Sequence, residues 1–250
     1  MQIHPMDQFR VEPIIPLHIG GVDVSFTNQS LVMCLIVGLV ALFMATAVSS
    51  RRLVPGRMQS MAELSYEFVS NMIQSSAGVE GLKFFSFIFT IFFFVLFSNV
   101  LGLIPGIFTV TSQIAVTFAL SMLVMIAVLI TGFARHGLGF LKLFVPKAPF
   151  VLLLLLVPIE IISFLTRPIS LSVRLFANML AGHTMLKVFA GFVIALGGAG
   201  GIMSVLSIAP MLLIVAITAL EMLVALLQAY VFAILTCIYL SEALHLHDHH

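Results

Sequence analysis

The sequence predicts an all-α polytopic membrane protein with about five to six membrane helices. Of its 250 residues, 61% are hydrophobic and only 8% are charged, whereas a soluble globular domain carries about 25% charged residues. The mean hydropathy is +1.22, and this much apolar surface must face lipid or other membrane-buried helices. One crossing takes about 20 apolar residues, so the chain has room for five or six. The net charge of +1 gives no electrostatic reason to expect a nucleic-acid partner.

The first part of the chain is predicted to anchor the protein in the membrane. Residues 1–28 form a polar segment without the basic-then-apolar pattern of a signal peptide. The spans that follow are predicted at 29–48, 84–104 and 113–134, and the whole region 29–147 is assigned to anchor helices.

Basic residues predict the orientation of these spans. Short stretches rich in Lys and Arg mark the cytoplasmic side of a membrane. Both such stretches follow odd-numbered spans, and the loop at 105–112 has no basic residue. The amino terminus is therefore predicted outside. The basic residues are Arg51, Arg52, Arg57, Arg135, Lys142 and Lys147.

Residues 58–79 have a different character from the spans around them. Glu63 and Glu67 alternate with Met61, Leu64 and Phe68 at helical spacing. This pattern is typical of an amphipathic helix that lies at the membrane surface. We expect it on the cytoplasmic side.

The second part, 148–240, is predicted to contain the ion-pathway helices, and a polar tail follows at 241–250. Residues 150–163 are apolar but too short for an ordinary span, and Pro158 interrupts them, so a re-entrant or tilted segment is expected. Pro168 is predicted to open a helix that runs to about 193. The glycines at 197–201 predict a turn.

A last helix is predicted at 203–240. If unbroken it would be about 60 Å long, whereas the hydrocarbon core of a bilayer is about 30 Å thick. The helix must therefore be strongly tilted, kinked at Pro210, or partly outside the membrane.

Five charged residues lie within this apolar second part. A charge at membrane depth costs at least about 2.5–3.5 kcal/mol on insertion scales, so a partner, water or a function must compensate. These residues are Glu160, Arg167, Arg174, Lys187 and Glu221.

Arg174 is the most informative of these charges. Helical spacing places Ser170, Arg174, Asn178 and Ala181 on one face. Because arginine is not deprotonated in proteins, the position carries a fixed positive charge. The alternatives are an arginine that snorkels to an interface or one that pairs statically with a glutamate.

Glu221 and Gln228 are seven residues apart and share one face of the last helix. Glu221 is either a proton relay or a satisfied structural carboxylate. His183 follows Arg174 by nine residues and so points to the opposite side of its helix. It is either a relay or a hydrogen-bonded core residue.

Other function classes find little support in the sequence. No nucleophile-plus-base pattern appears, and the glycine cluster lacks the Lys-Ser/Thr of a phosphate loop. No inverted repeat suggests a secondary transporter, and a purely structural anchor would not explain Arg174 beside Asn178. We expect no cofactor and no metal. The histidines at 245, 247, 249 and 250 are interpreted as a solvated tail.

The segments PIEIISFLTRPISLSVRLFANMLAGH (158–183) and ALEMLVALLQAYVFAILTCIYLSEA (219–243) closely resemble subunit a of F-type ATP synthases. Weaker similarity extends from SNVLGLIPG to the carboxyl terminus. The resemblance implies that Arg174 is the essential arginine of ion translocation, flanked by Asn178 and Gln228. It implies that His183 and Glu221 interact in the ion-access pathway. Further polar pathway positions are Glu160 and Ser170.

The resemblance also implies the wider setting of the chain. Two half-channels, separated by the arginine, would couple proton flow to rotation of a ring of c subunits and so to ATP synthesis. The last two helices would lie strongly tilted against that ring. Expected partners are the c-ring, the peripheral-stalk b subunits, the remaining synthase subunits and membrane lipid. The chain itself would not catalyse. The expected location is a bacterial inner membrane, with the mitochondrial inner membrane as the alternative.

Overall fold

The computed structural model describes residues 10–16, 18–19, 22–23, 25–49, 56–104, 106–144 and 150–244. Within this part of the chain, the predicted all-helical membrane fold is confirmed, with five apolar helical stretches long enough to cross a bilayer. Arg51, Arg52, Lys147 and the histidine tail lie outside the described residues, so the orientation stays a prediction. The five stretches are Asn28–Ala47, Arg57–Gly102, Ile114–His136, Leu152–Gly198 and Ile202–Leu244.

The amino-terminal segment contains two short antiparallel strand pairs that the sequence analysis did not predict. Strand β1 (Pro13–Ile15) pairs with β4 (Phe26–Thr27), and β2 (His18–Ile19) pairs with β3 (Val22–Asp23). Strands of two or three residues are too short to show a recognisable alternation of apolar and polar side chains.

Asn28 joins this segment to the first helix. Its Nδ2 donates to the carbonyl oxygen of Arg10 at 3.1 Å, and its Oδ1 accepts from the backbone N–H of Glu12 at 3.2 Å. The backbone N–H of Asn28 also donates to the carbonyl oxygen of Glu12 at 3.1 Å. The start of the first helix is thus tied to the strand segment by three hydrogen bonds.

The anchor helices form where uninterrupted apolar runs predict them, with ends within about two residues of the prediction. The amphipathic stretch is also helical, although its position at a membrane surface stays a prediction. Its helical geometry is interrupted near the end, at Gly78, which has a φ of 67°. Glycine adopts such a φ without strain. The helices are α1 (Asn28–Ser49), α2 (Arg57–Gly81), α3 (Phe85–Gly102) and α4 (Ile114–His136).

Helix α5 runs without interruption from Phe150 to Gly198. The predicted helix start at Pro168 and the separate re-entrant segment before it are therefore wrong, because both Pro158 and Pro168 lie inside this helix. Proline keeps a φ compatible with a helix and removes one backbone hydrogen bond. Membrane helices tolerate that loss where neighbouring groups compensate.

The predicted glycine turn is present between α5 and the last helices. Gly200 and Gly201 have φ values of 72° and 60°, which other residues adopt only with strain. A short helix α6 (Ile202–Leu206) follows, and α7 (Ile208–Leu244) begins after a turn at Ser207. This turn lies three residues before Pro210, which falls in the first turn of α7. Strong tilt, or a part outside the membrane, stays a prediction for α7, which is 37 residues long.

The contacts divide the chain into two compact units. The first comprises Met1–Ala41, Phe94–Gln113 and Leu175–Ala229. The second comprises Leu42–Phe93, Ile114–Arg174 and Tyr230–His250.

Aromatic side chains fill much of the second unit. The rings of Phe85 and Phe89 have centroids 5.3 Å apart, and those of Phe89 and Phe93 are 4.5 Å apart. The ring centroid of Phe68 in α2 lies 5.8 Å from that of Phe92 and 5.9 Å from that of Tyr230. Tilted ring pairs at these distances stabilise a core beyond the burial of their area.

Polar and small residues complete the packing of the second unit. Thr117 of α4 and Ser172 of α5 share a hydrogen bond of 3.1 Å. The ring of Phe140, in the 3-10 segment Gly137–Phe144, lies directly against Gly132 of α4 and occupies the space that a side chain there would need.

Candidate functional site

The loop between α3 and α4 supplies polar groups to the interior of the first unit. Residues 109–112 are all buried. Thr109 Oγ1 donates to the carbonyl oxygen of Gly102 at 3.3 Å, and Ser112 Oγ donates to the carbonyl oxygen of Thr109 at 2.6 Å. The loop therefore satisfies part of its own polar content by local hydrogen bonds.

His183 of α5 and Glu221 of α7 meet in the first unit. His183 Nε2 lies 3.6 Å from Glu221 Oε1, and the two residues are 9% and 5% exposed. Thr109 Oγ1 lies 3.3 Å from the same nitrogen. Neither carboxylate oxygen of Glu221 has a hydrogen-bond partner among the residues that the structure describes. A buried carboxylate in this state is costly, and function is a common reason to retain one.

Gly182 makes room for the Glu221 carboxylate. A Cβ atom at this position would lie 2.6 Å from Glu221 Oε1 and 2.8 Å from its Cδ. Only a residue without a side chain therefore allows the carboxylate to approach the α5 backbone this closely. The sequence analysis did not identify this glycine.

A second polar pair joins the same two helices. Asn178 Nδ2 donates to Gln228 Oε1 at 2.9 Å. Gln228 is 4% exposed, and its Nε2 has no hydrogen-bond partner within the described part of the chain. Glu221 and Gln228 are both buried, which agrees with the predicted shared face of the last helix.

Arg174 is exposed, whereas His183 is buried, and their placement on opposite sides of the helix stays a prediction from their spacing. Arg174, Ser170, Asn178 and Ala181 are all exposed. Arg174 forms no hydrogen bond or ion pair with any residue that the structure describes. The alternative of a static pair with a glutamate of this chain finds no support in the described residues.

Two of the predicted pathway residues have no polar partner among the described residues. Glu160 is half-buried and Ser170 is exposed, and neither makes a side-chain hydrogen bond or ion pair with the described residues. Among the same residues, no three His, Cys, Asp or Glu side chains lie together in a group that could hold a metal ion.

Arg167 belongs to an ion pair that the sequence analysis missed. In the second unit its guanidinium pairs with the carboxylate of Glu242, near the end of α7. The same guanidinium lies 5.1 Å from the ring centroid of Tyr239 and 5.7 Å from that of Phe164. The charge of Arg167 is thus compensated within the chain, whereas Arg174 has no ion-pair partner in the part of the chain that the structure describes.

Asn99 of α3 is a further buried polar residue that the sequence analysis missed. Its Nδ2 donates to the carbonyl oxygen of Ala225 in α7 at 3.2 Å, and its Oδ1 accepts from Thr111 Oγ1 at 3.0 Å. The α3–α4 loop is therefore bonded to α7 through Asn99 and faces His183 through Thr109.

The sequence matches the family described as ATP synthase A chain over residues 30–241. This chain belongs to that family. ATP synthase subunit a of Mesorhizobium japonicum is 57% identical, with 98% of this chain and 97% of the relative covered. The corresponding subunit of Chelativorans sp. is 58% identical, covering 98% and 99%, and that of Allorhizobium ampelinum is 57% identical, covering 98% of each.

Family membership confirms the resemblance carried by segments 158–183 and 219–243. It gives the chain the function of subunit a, a proton-conducting and non-catalytic subunit of the membrane sector. The chain is a multi-pass membrane protein, and these relatives come from bacteria. Family membership does not assign the residues that conduct protons. The candidates are Arg174 and the two polar pairs, His183 with Glu221 and Asn178 with Gln228.

Proposed function

We propose that this chain forms two aqueous half-channels, separated by the fixed charge of Arg174, that load and unload protons on a ring of c subunits. The observation that carries the proposal is the contrast between its two arginines near the middle of α5. Arg167 is paired within the chain, whereas Arg174 is exposed and unpaired among the described residues. An unpaired charge in a membrane helix needs compensation, and a partner from outside the chain would provide it.

A carboxylate on the ring would be that partner. A ring carboxyl group that arrives protonated from the lipid loses its proton beside Arg174, because an adjacent positive charge favours the ionised form. After the ring turns, the other half-channel supplies a new proton. The guanidinium also prevents direct passage, since a fixed cation repels protons between the half-channels.

His183 and Glu221 would conduct protons along one half-channel. The 3.6 Å separation of their polar atoms is close to hydrogen-bond reach. The oxygens of Glu221 have no hydrogen-bond partner within the described ranges, which leaves the carboxylate able to accept and release a proton. Glu160 and Ser170 remain proposed as further polar positions of the pathway.

Asn178 and Gln228 would hold α5 and α7 together one helical turn from Arg174. Their hydrogen bond of 2.9 Å fixes the separation of the two helices at that level. The exposed face with Ser170, Arg174 and Ala181 would then lie against the ring, with both long helices strongly tilted.

The remaining partners and the location follow from the same proposal. The c-ring, the peripheral-stalk b subunits and membrane lipid would surround the chain in a bacterial inner membrane, with the amino terminus outside. Each elementary charge that crosses supplies about 2.3 kcal/mol per 100 mV. Several protons are therefore needed for each ATP that the soluble head makes.

ATP-driven proton pumping in vesicles that contain the whole complex tests the proposal. Arg174→Ala should abolish pumping while the complex remains assembled, and Glu221→Gln should slow pumping more than it harms assembly. Arg135→Gln is the matched control, since Arg135 pairs with Glu80 at the ends of α4 and α2, and it should pump normally. Normal pumping by Arg174→Ala would show that the arginine is structural.

A further inference from the structure

We propose that a groove beside the start of α1 binds a phospholipid whose head group carries a phosphate and a primary ammonium group, as that of phosphatidylethanolamine does. The groove has a volume of about 480 Å³ and lies within the first unit. Its walls are the amino-terminal segment, the first two turns of α1 and the α3–α4 loop. The inference is independent of the proposed half-channels, because none of the residues assigned to them lines this groove.

The groove changes character along α1. Asn28, Leu31 and Leu35 recur at helical spacing and line one side of it. Asn28 is polar, whereas the two leucines are apolar and 44% and 45% exposed. The buried ring of Phe108 completes the apolar part. From Asn28 to Leu35 the helix rises about 10 Å, so the groove has a polar end and an apolar end, as an amphiphile has.

The spanning stretch of α1 starts at the polar end of the groove. This stretch, Asn28–Ala47, has 20 residues, and at about 1.5 Å per residue it matches a hydrocarbon core about 30 Å thick. Asn28 then lies at the boundary of the core, and Leu31 and Leu35 lie within it. A water-soluble ligand would fill only the polar end, whereas a lipid fills both ends.

Opposite charges lie at the polar end of the groove. Arg10, Glu12 and Ile14 line it at every second position, as one face of an extended segment does. Arg10 and Glu12 are both exposed. Neither forms an ion pair with any residue that the structure describes. Both charges are therefore available to a ligand in the groove.

Hydrogen bonds to Asn28 hold the backbone that carries these charges. The Asn28 side chain bonds to the carbonyl oxygen of Arg10 at 3.1 Å and to the backbone N–H of Glu12 at 3.2 Å. The backbone N–H of Asn28 donates to the carbonyl oxygen of Glu12 at 3.1 Å. The two side chains thus extend from a backbone that is fixed to the start of α1, and a site ordered in advance loses less entropy on binding.

A head group that carries both charges matches this arrangement. The guanidinium of Arg10 suits phosphate oxygens, which it binds through paired N–H donors. The carboxylate of Glu12 only accepts hydrogen bonds, and a primary ammonium group offers three donors. A phosphoethanolamine group can contact both side chains at once, because only two carbons separate its phosphate from its nitrogen. Glu12 would repel a purely anionic head group, and a quaternary ammonium group has no hydrogen to donate to it.

Competition for a photoactivatable lipid tests the inference on the whole synthase complex in detergent. The probe is phosphatidylethanolamine with a diazirine near the start of one acyl chain, and the labelled residues are mapped by mass spectrometry. Label is expected on α1 between Leu31 and Leu35. Unlabelled phosphatidylethanolamine should compete with this labelling about fivefold better than phosphatidylglycerol or phosphatidylcholine.

Two substitutions separate the two charges. Arg10→Gln should weaken competition by phosphatidylethanolamine and phosphatidylglycerol alike, by about fivefold. Glu12→Gln should abolish the preference for phosphatidylethanolamine over phosphatidylglycerol, because the carboxylate that repels the anionic head group is gone. The matched controls are Arg57→Gln and Glu67→Gln. They neutralise exposed charges of α2 that have no ion-pair partner among the described residues, and they should behave like wild type.

Three results would overturn the inference. The first is equal competition by the three lipids in the wild-type complex, and the second is unchanged competition in either Arg10→Gln or Glu12→Gln. The third is absence of label from α1 while the probe labels other membrane helices of the complex, which would mean that another subunit covers the groove. The half-channels are tested separately, by the pumping of Arg174→Ala.

Discussion

Replacing Gly182 by alanine should displace the Glu221 carboxylate from His183. The added Cβ would lie 2.6, 2.8 and 3.2 Å from Oε1, Cδ and Cγ of Glu221. Carbon atoms in contact prefer separations of about 3.5–4.0 Å, so the carboxyl group must move by roughly 1 Å. Because the crowded atoms belong to the far end of a flexible side chain, this movement itself costs little stability.

The expected effect on proton pumping is larger than the effect on assembly. A displacement of about 1 Å at a reacting group can lower a rate by about a hundredfold, so we expect a loss of roughly ten- to a hundredfold. The assay is the initial rate of ATP-driven acidification in vesicles, normalised to assembled complex. Gly191→Ala is the matched control on the same helix, because no described atom lies within 4 Å of its Cβ position. It should pump like wild type.

A second substitution tests the steric cause directly. Glu221→Asp shortens the side chain by one methylene, so it should restore part of the pumping when combined with Gly182→Ala. Wild-type pumping by Gly182→Ala in assembled complexes would refute the reasoning. It would mean that the carboxylate can move away from His183 without loss of proton transfer.

Two further predictions concern packing in the second unit, measured as resistance of the solubilised complex to thermal dissociation. Glu242→Gln should destabilise the complex by about 1–3 kcal/mol, since it leaves the half-buried charge of Arg167 unpaired. The double variant that also carries Arg167→Gln should recover part of this lost stability. If the losses of stability from Glu242→Gln and Arg167→Gln simply add in the double variant, the two side chains do not stabilise the complex as a pair. Gly132→Ala should cost about 1–3 kcal/mol because its Cβ would overlap the Phe140 ring. Gly38→Ala is the control, because no described atom lies within 4 Å of its Cβ position, and it should be tolerated. Equal stability of Gly132→Ala and Gly38→Ala would contradict the contact between Gly132 and the Phe140 ring.

The helices could be predicted from the sequence wherever hydrophobicity alone determines them. The spans at 29–48 and 113–134 are uninterrupted apolar runs, and helices form there. The prediction fails around Pro168, because a local rule for proline was applied where packing in a membrane protein overrides it. The strands near Pro13 are too short to leave a pattern.

The site was predictable in part, for a related reason. Helical spacing places Ser170 and Arg174 on one face and Glu221 with Gln228 on another, and the structure has both faces. The pairing of His183 with Glu221 came from the family resemblance. The contacts of Thr109 and the space at Gly182 depend on which side chains meet after folding, and one sequence contains no signal for such contacts.

The glycine turn after α5 has a consequence for the alignment of the two long helices. His183 precedes and Glu221 follows Ile202 by nineteen residues each, and Asn178 and Gln228 are almost equally spaced about the same point. Both polar pairs thus belong to one helical hairpin, and the two members of each pair lie at nearly equal sequence distances from its turn. Removing one residue from Gly200–Gly201 would slide one arm by about 1.5 Å and rotate it by about 100°. The glycine turn carries no charged side chain, yet its length sets the register of α5 against α7 on which both polar pairs depend.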